Sequence, residues 1–182
     1  MITRSEYRSA QKVGVDLLTK AGIRFNESES ENIAVADFGL SDLNTFGAQI
    51  LTLVNTDMIA VKLIAMHPYQ IMPEHWHPRI GEYSGKEETL RVEWGRMLLY
   101  QPGKPKSNPQ AKMPENKLNC FKNWNELEML SGDQITFPPA TPHWFQAGPG
   151  GVVVWSFSTK VIDLQDEFTD PDIRRETIIS DD

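Results

Sequence analysis

Apolar and small residues recur at Tyr7, Ala10, Val13, Gly14, Leu17, Leu18 and Ala21, the spacing of one helical face. Thr3 and Glu6 ahead of them have capping-box spacing, in which each side chain satisfies the other residue's free backbone N–H. Gly22 suits the position just past the last turn. The pattern predicts an N-terminal packing helix within residues 1–32. After the polar run Asn26–Asn32 the period shortens. Strands are expected near Ile33–Asp37, Gln49–Asn55, Met58–Met66, Gln70–His77, Thr89–Trp94, Arg96–Gln101, Gln134–Phe137, Trp144–Ala147 and Gly151–Ser158. Asn55-Thr56-Asp57 reads as a hairpin turn. Many short strands with regular punctuation and no alternating helices argue for a sandwich or barrel over residues 33–162.

Two stretches break this rhythm. Between Gln101 and Gln134 lie Pro102, Pro105, Pro109 and Pro114 together with Lys104, Lys106, Lys112, Lys117 and Lys122. This long loop, 102–131, exceeds a hairpin connection. It reads either as a solvated excursion or as a flap over one end of the barrel. From Asp163 to residue 182 the chain is acidic, which predicts a solvated tail with Phe168 and Ile173 as anchors. No internal repeat is visible, and a single domain is expected.

Composition narrows the classes of function. The chain has 182 residues and a net charge of −7, a poor match to nucleic acid or an anionic membrane. The N-terminus has no apolar leader, and no run of about 18 apolar residues occurs. A cytoplasmic protein without nucleic-acid or membrane partners is the expectation. A single cysteine, Cys120, excludes an internal disulfide and a thiolate metal cluster. Histidine is scarce: His67, His75, His77 and His143. On a strand, His75-Trp76-His77 turns both imidazoles to one face, half of a metal site, and sends Trp76 the other way. His67 stands outside this pattern and reads as a packed or surface residue.

Glu88 and Gly95 follow that pair, and farther on come Gly132, Pro138, Ala140 and His143. These positions resemble the two signature motifs of the cupin superfamily, jelly-roll β-barrels that hold a metal with three His and one Glu. The resemblance implies a mainly β, cupin jelly-roll barrel with an N-terminal helix, and His75, His77, Glu88 and His143 as ligands. Tyr69 departs from the motif's leading Gly, Ala147 from its closing Asn, and ten residues separate His77 from Glu88. Glu87 is an adjacent rival, but the interval to Gly95 selects Glu88.

The long insertion matches a narrower family. Pro73-Glu74-His75-Trp76-His77-Pro78, Gly85-Lys86-Glu87-Glu88-Thr89, Pro138-Pro139, His143-Trp144-Phe145-Gln146-Ala147-Gly148 and Phe168-Thr169-Asp170-Pro171 resemble the cupin-type D-lyxose isomerases. That resemblance implies a divalent ion of the Mn2+ type and aldose–ketose isomerisation of D-lyxose with D-xylulose and D-mannose with D-fructose. Imidazole and carboxylate would equally suit Zn2+, Fe2+, Co2+ or Ni2+. Lys86 and Glu74 are candidate catalytic groups by proximity to the ligands. Trp144 and Phe145 are candidates to line a sugar cavity, since aromatic faces suit the apolar side of a sugar. Arg91 is expected on the opposite face of its strand. Ser156 stands where the family often carries an acidic residue, which leaves the proton-shuttling base open. Two alternatives stay open as well: another metal-dependent cupin enzyme of dioxygenase type, and a non-catalytic sugar-binding cupin. A homodimer is expected from the prevalence of two-fold symmetry.

Overall fold

Thr3 caps the first helix as its spacing predicts. Its side chain accepts from Glu6 N, and the Glu6 side chain accepts from Thr3 N. The helix α1 runs Arg4–Lys20 and ends at Ala21, with Gly22 beyond it at φ +80°. The computed structural model describes residues 1–181. The polar run that follows folds into a short helix α2, Glu27–Glu31, because Asn26 and Glu29 form a second capping box.

The strands are β1 Ile2–Thr3, β2 Ala34–Ala36, β3 Ala48–Asn55, β4 Ile59–Met66, β5 Ile71–Trp76, β6 Glu88–Gln101, β7 Asn125–Leu130, β8 Gln134–Phe137, β9 His143–Thr159, β10 Glu167–Phe168 and β11 Ile179–Ser180. All but β1 and β11 belong to one curled sheet. Its spine is β9, which pairs with β5 through its first half, with β4 through its second, and with β6 along both. In turn β6 pairs with β8 at its start and β7 at its end. The result is the mainly β, cupin-type curled barrel with an N-terminal helix that the motifs imply.

Alternation along these strands sorts the core. Ile64, Met66, Leu90, Val92, Phe145, Val152 and Val154 point into the barrel. Leu63, Ala65 and Val153 point outward and are covered by Leu17 and Leu18 of α1. Trp144, Tyr100, Trp124 and Phe121 form an aromatic cluster of their own, with Leu98 packed in it.

Three boundaries differ from the sequence reading. The pairs of strands expected over 89–101 and 144–158 are single strands, each bent rather than broken. In β6 the bend falls at Gly95, whose φ is +85° and where a Cβ would stand 2.3 Å from Gly151 O. The register of β6 against β9 shifts on both sides of it. The loop expected over 102–131 is shorter, because β7 occupies Asn125–Leu130 and Glu115–Cys120 forms a 3-10 turn. The acidic tail is not a solvated end. It returns to the barrel, where β10 pairs antiparallel with β5, and Asp170 and Ile173 are buried.

Candidate active site

Strand ends bring the predicted ligands together. His75 lies on β5 and is the register partner of His143, the first residue of β9. His77 follows one residue after β5, and Glu88 opens β6. One nitrogen from each of the three histidines falls within a mutual span of 4.8 Å. Ring centroids are 4.5 Å apart for His75 and His143, and 5.1 Å for His75 and His77. Phe137 stacks on His143 at 4.2 Å and fixes that ring's plane.

Each histidine uses Nδ1 to reach an oxygen. His75 Nδ1 lies 2.8 Å from Pro73 O, His143 Nδ1 2.9 Å from Thr141 O, and His77 Nδ1 2.7 Å from Asp166 Oδ1. An oxygen acceptor assigns the hydrogen to Nδ1, which leaves the Nε2 lone pair for the centre of the cluster. His143 is fully buried, and among the described residues its Nε2 has no hydrogen-bond partner. An orphaned buried acceptor is costly. A divalent cation satisfies it, and three inward nitrogens with a carboxylate suit such an ion.

Glu88 divides its two oxygens. Oε2 faces the histidines, 3.1 Å from His77 Nε2 and 3.7 Å from His143 Nε2. Oε1 accepts from Lys86 Nζ at 3.2 Å and from Ser156 Oγ. Burial opposes the charge, but Lys86 above all, with the neighbouring His143 and His77 rings, outweighs it and holds the carboxyl well below the usual range. The rival Glu87 is exposed. Burial, reinforced by the two neighbouring rings, pushes His75 well below the ordinary histidine value, so it is neutral. His77 differs: burial is outweighed by Asp166 and Glu88, which raise its affinity for a proton. A cation arriving at its Nε2 therefore competes with a proton there.

Next to the histidines lies a cavity lined by Lys62, Lys86, Asp163, Phe145, Phe168 and Arg175, among others. Asp163 ties its cations together. It pairs with Lys62, lies 3.8 Å from Lys86 Nζ, and accepts from Arg175 Nη2 at 3.4 Å. Burial works against the Lys86 ammonium, yet Glu88, Asp163 and Asp166 raise its pKa, so it stays charged. The tail, rather than the long loop, supplies one wall of this cavity.

Lys86 and Phe145 thus stand where the sequence reading puts them, beside the ligands and along the cavity. Glu74 and Trp144 do not. Glu74 is buried with its carboxylate accepting from Lys122 N, Asn123 N, Asn123 Nδ2 and Thr169 Oγ1, none of which belongs to the histidine cluster. Strand alternation separates it from His75. The same alternation turns Trp144 away from the cavity that Phe145 faces. Trp144 stacks on Tyr100 at 3.8 Å, and its Nε1 donates to Asn123 O. His67 is a half-buried residue with Nε2 2.7 Å from Leu43 O, and Arg91 points outward to Gln134.

Four contributors escaped the sequence reading: Lys62, Asp163, Asp166 and Arg175. Lys62 carried a signal, being a lone cation in register with Ile64 and Met66 on an otherwise apolar strand. The tail residues carried none, because their partners lie far away in sequence. Ser156 proves to be the hydroxyl that orients Glu88.

No family model matches the chain. It is 46% identical over 175 residues, 96% of this chain and 97% of the relative, to a D-lyxose ketol-isomerase from a Thermofilum species. It is 41% identical over 96% of its length to a D-lyxose ketol-isomerase of Cohnella laeviribosi and to a D-lyxose/D-mannose isomerase of Thermosediminibacter oceani. In fold it is similar to an L-ribose isomerase from an Acinetobacter species, with a TM-score of 0.81 at 18% identity over 98% of both chains. The L-ribose isomerase of Cellulomonas parahominis follows at 0.77 and 16%, again over 98% of both chains. Three converging histidines in a cupin-type barrel and identity of 41–46% over 96% of the chain agree: the chain belongs to the family of the D-lyxose ketol-isomerases.

Proposed function

We propose that this protein is a metal-dependent aldose–ketose isomerase that interconverts D-lyxose with D-xylulose and D-mannose with D-fructose. The observation that carries the reading is the convergence of three histidine nitrogens, with Glu88 Oε2 3.1 Å from His77 Nε2, beside a cavity holding buried cations. The relatives' names supply the sugar class. His75, His77, Glu88 and His143 would hold the ion, with Mn2+ as the proposed identity. When bound, that ion supplies Lewis-acid polarisation of adjacent sugar oxygens.

The chain's own groups have separate duties in the transfer of a proton between C1 and C2 through a cis-enediol. Lys86, kept as an ammonium, would stabilise by its charge the sugar oxygen on which negative charge develops, while the carbon-bound proton would pass to a base other than Lys86. Lys62 adds a second positive charge in the same cavity. Asp163 fixes both amines in position and keeps them from repelling each other. Phe145 and Phe168 exclude water around them.

The test is a panel of aldoses incubated with Mn2+-loaded protein in heavy water and followed by proton resonance. Conversion of D-lyxose and D-mannose with deuterium appearing at the exchanging carbon is the expected result. Failure to convert any aldose at millimolar concentration would overturn the reading.

A further inference from the structure

The three histidines are not oriented in the same way. His75 and His143 each use the carbonyl two residues earlier on their own stretch of chain, Pro73 O and Thr141 O. Their ring orientation comes with the strands that carry them. His77 sits just past the end of β5 and leans on Asp166, 89 residues away. Asp166 is itself placed by the returning tail. Its N–H donates to Asp163 O, and the next two residues form β10, with Glu167 opposite Trp76 and Phe168 opposite His75. Beyond them Thr169 N donates to Glu74 O, and Asp170 pairs with Lys117 at 2.7 Å. At the near end Asp163 meets Lys62, Lys86 and Arg175. The tail is therefore held at both sides of Asp166, and only when it is seated does the third imidazole acquire its carboxylate.

We propose that residues 163–170 are a conditional part of the metal centre: Asp166 is a positioning residue for His77, and docking of this segment and metal retention reinforce each other. The proposal rests on the metal-binding reading of the site. A carboxylate on Nδ1 fixes the ring and makes Nε2 a stronger donor, and loss of such a partner costs roughly 10–100-fold in metal affinity. Linkage then works in reverse. An ion that binds better when the tail is docked must hold the tail docked by the same factor.

The experiment compares the full chain with Asp166→Ala, Asp166→Asn and His143→Ala. Mn2+ affinity is read by chelator competition, the Co2+ form by its visible spectrum, and the tail by hydrogen exchange with and without Mn2+. We expect Asp166→Ala to bind roughly 10–100-fold more weakly. Asp166→Asn, which keeps an acceptor oxygen, should fall between it and the unaltered protein. The Co2+ bands should shift in Asp166→Ala, a change that loss of fold stability alone does not produce. In the unaltered protein Mn2+ should slow exchange over residues 163–170, and in Asp166→Ala it should not. Equal affinities within twofold and an unchanged Co2+ spectrum would overturn the proposal while leaving the metal site intact. Exchange in the unaltered tail that ignores Mn2+ would overturn it too, even if the variants fail to fold. An unaltered protein that binds no Mn2+, or binds it undiminished after His143→Ala, would overturn the metal-site reading first.

Discussion

Glu74 and His75 are neighbours in sequence and strangers in space. Strand alternation gives His75 to the histidine cluster and Glu74 to the seam between the long loop and the tail. Proximity in sequence suggested catalysis for Glu74, and the four donors on its carboxylate argue for structure instead. Glu74→Ala leaves the Lys122 and Asn123 amides without an acceptor, so it should destabilise the fold by about 3 kcal/mol. Mn2+ affinity per folded molecule should hold, and urea titration alongside metal titration separates the two effects. Glu126 offers a second residue-scale test. Burial raises its pKa, but the bonds from Lys106, Tyr100 and Gln110 outweigh that and bring it to about 2. Its folded value lies below the unfolded one. Its contribution is thus complete above about pH 4.5 and is lost as pH falls toward 2. Glu126→Gln should flatten the acid limb of stability between those limits, measured by urea unfolding at successive pH values. At this scale the sequence was informative where chemistry is local: the two histidines one residue apart, and the buried Glu88 beside the exposed Glu87. It was silent where a side chain answers to a distant partner, as Ser156 answers to Glu88.

At the scale of elements, period-2 alternation located the barrel strands, and the turn residues between them located most boundaries. The errors have a common cause. Gly95 and the Gly150–Gly151 pair look like chain breaks, yet in β6 and β9 they are bends that let one strand serve two neighbours. Any side chain at Gly95 meets the Gly151 carbonyl and a backbone angle that L residues resist. Gly95→Ala should cost at least about 2 kcal/mol, visible as a lowered urea midpoint. The long loop and the tail exchanged roles for a related reason. Proline and lysine marked 102–131 as the conspicuous segment, but the loop is fastened by Glu74, Glu126 and Gln146 around the aromatic cluster. The tail has no periodicity to advertise it. Its acids meet Lys62, Lys86 and Lys117, all distant in sequence.

For the molecule as a whole, the net charge of −7 suggested a negative tail in solvent. Within the tail, however, Asp163, Asp166 and Asp170 face cations and a histidine inside the fold. Removing residues 163–182 would uncover the barrel residues against which Ile173 packs and leave Lys62 without its carboxylate. Burial of Ile173 alone contributes about 1.5–3 kcal/mol. The truncated chain should melt at least about 5 °C lower. An unchanged melting temperature would mean that the tail is not part of the cooperative unit.

The pairing of β1 with β11 has a mechanical consequence. The two strands run parallel, Ile2 beside Ile179 and Thr3 beside Ser180. Force applied near the two ends of the described chain therefore loads them in shear, so their bonds resist together rather than opening in turn. That clasp is only two residue pairs long, against eight between β4 and β9. Under a rising pull it should slip first, and the next stretch drawn off is the tail. A stretched molecule would lose the Asp166 contact to His77 while the barrel still stands, giving two separate steps in a force–extension trace.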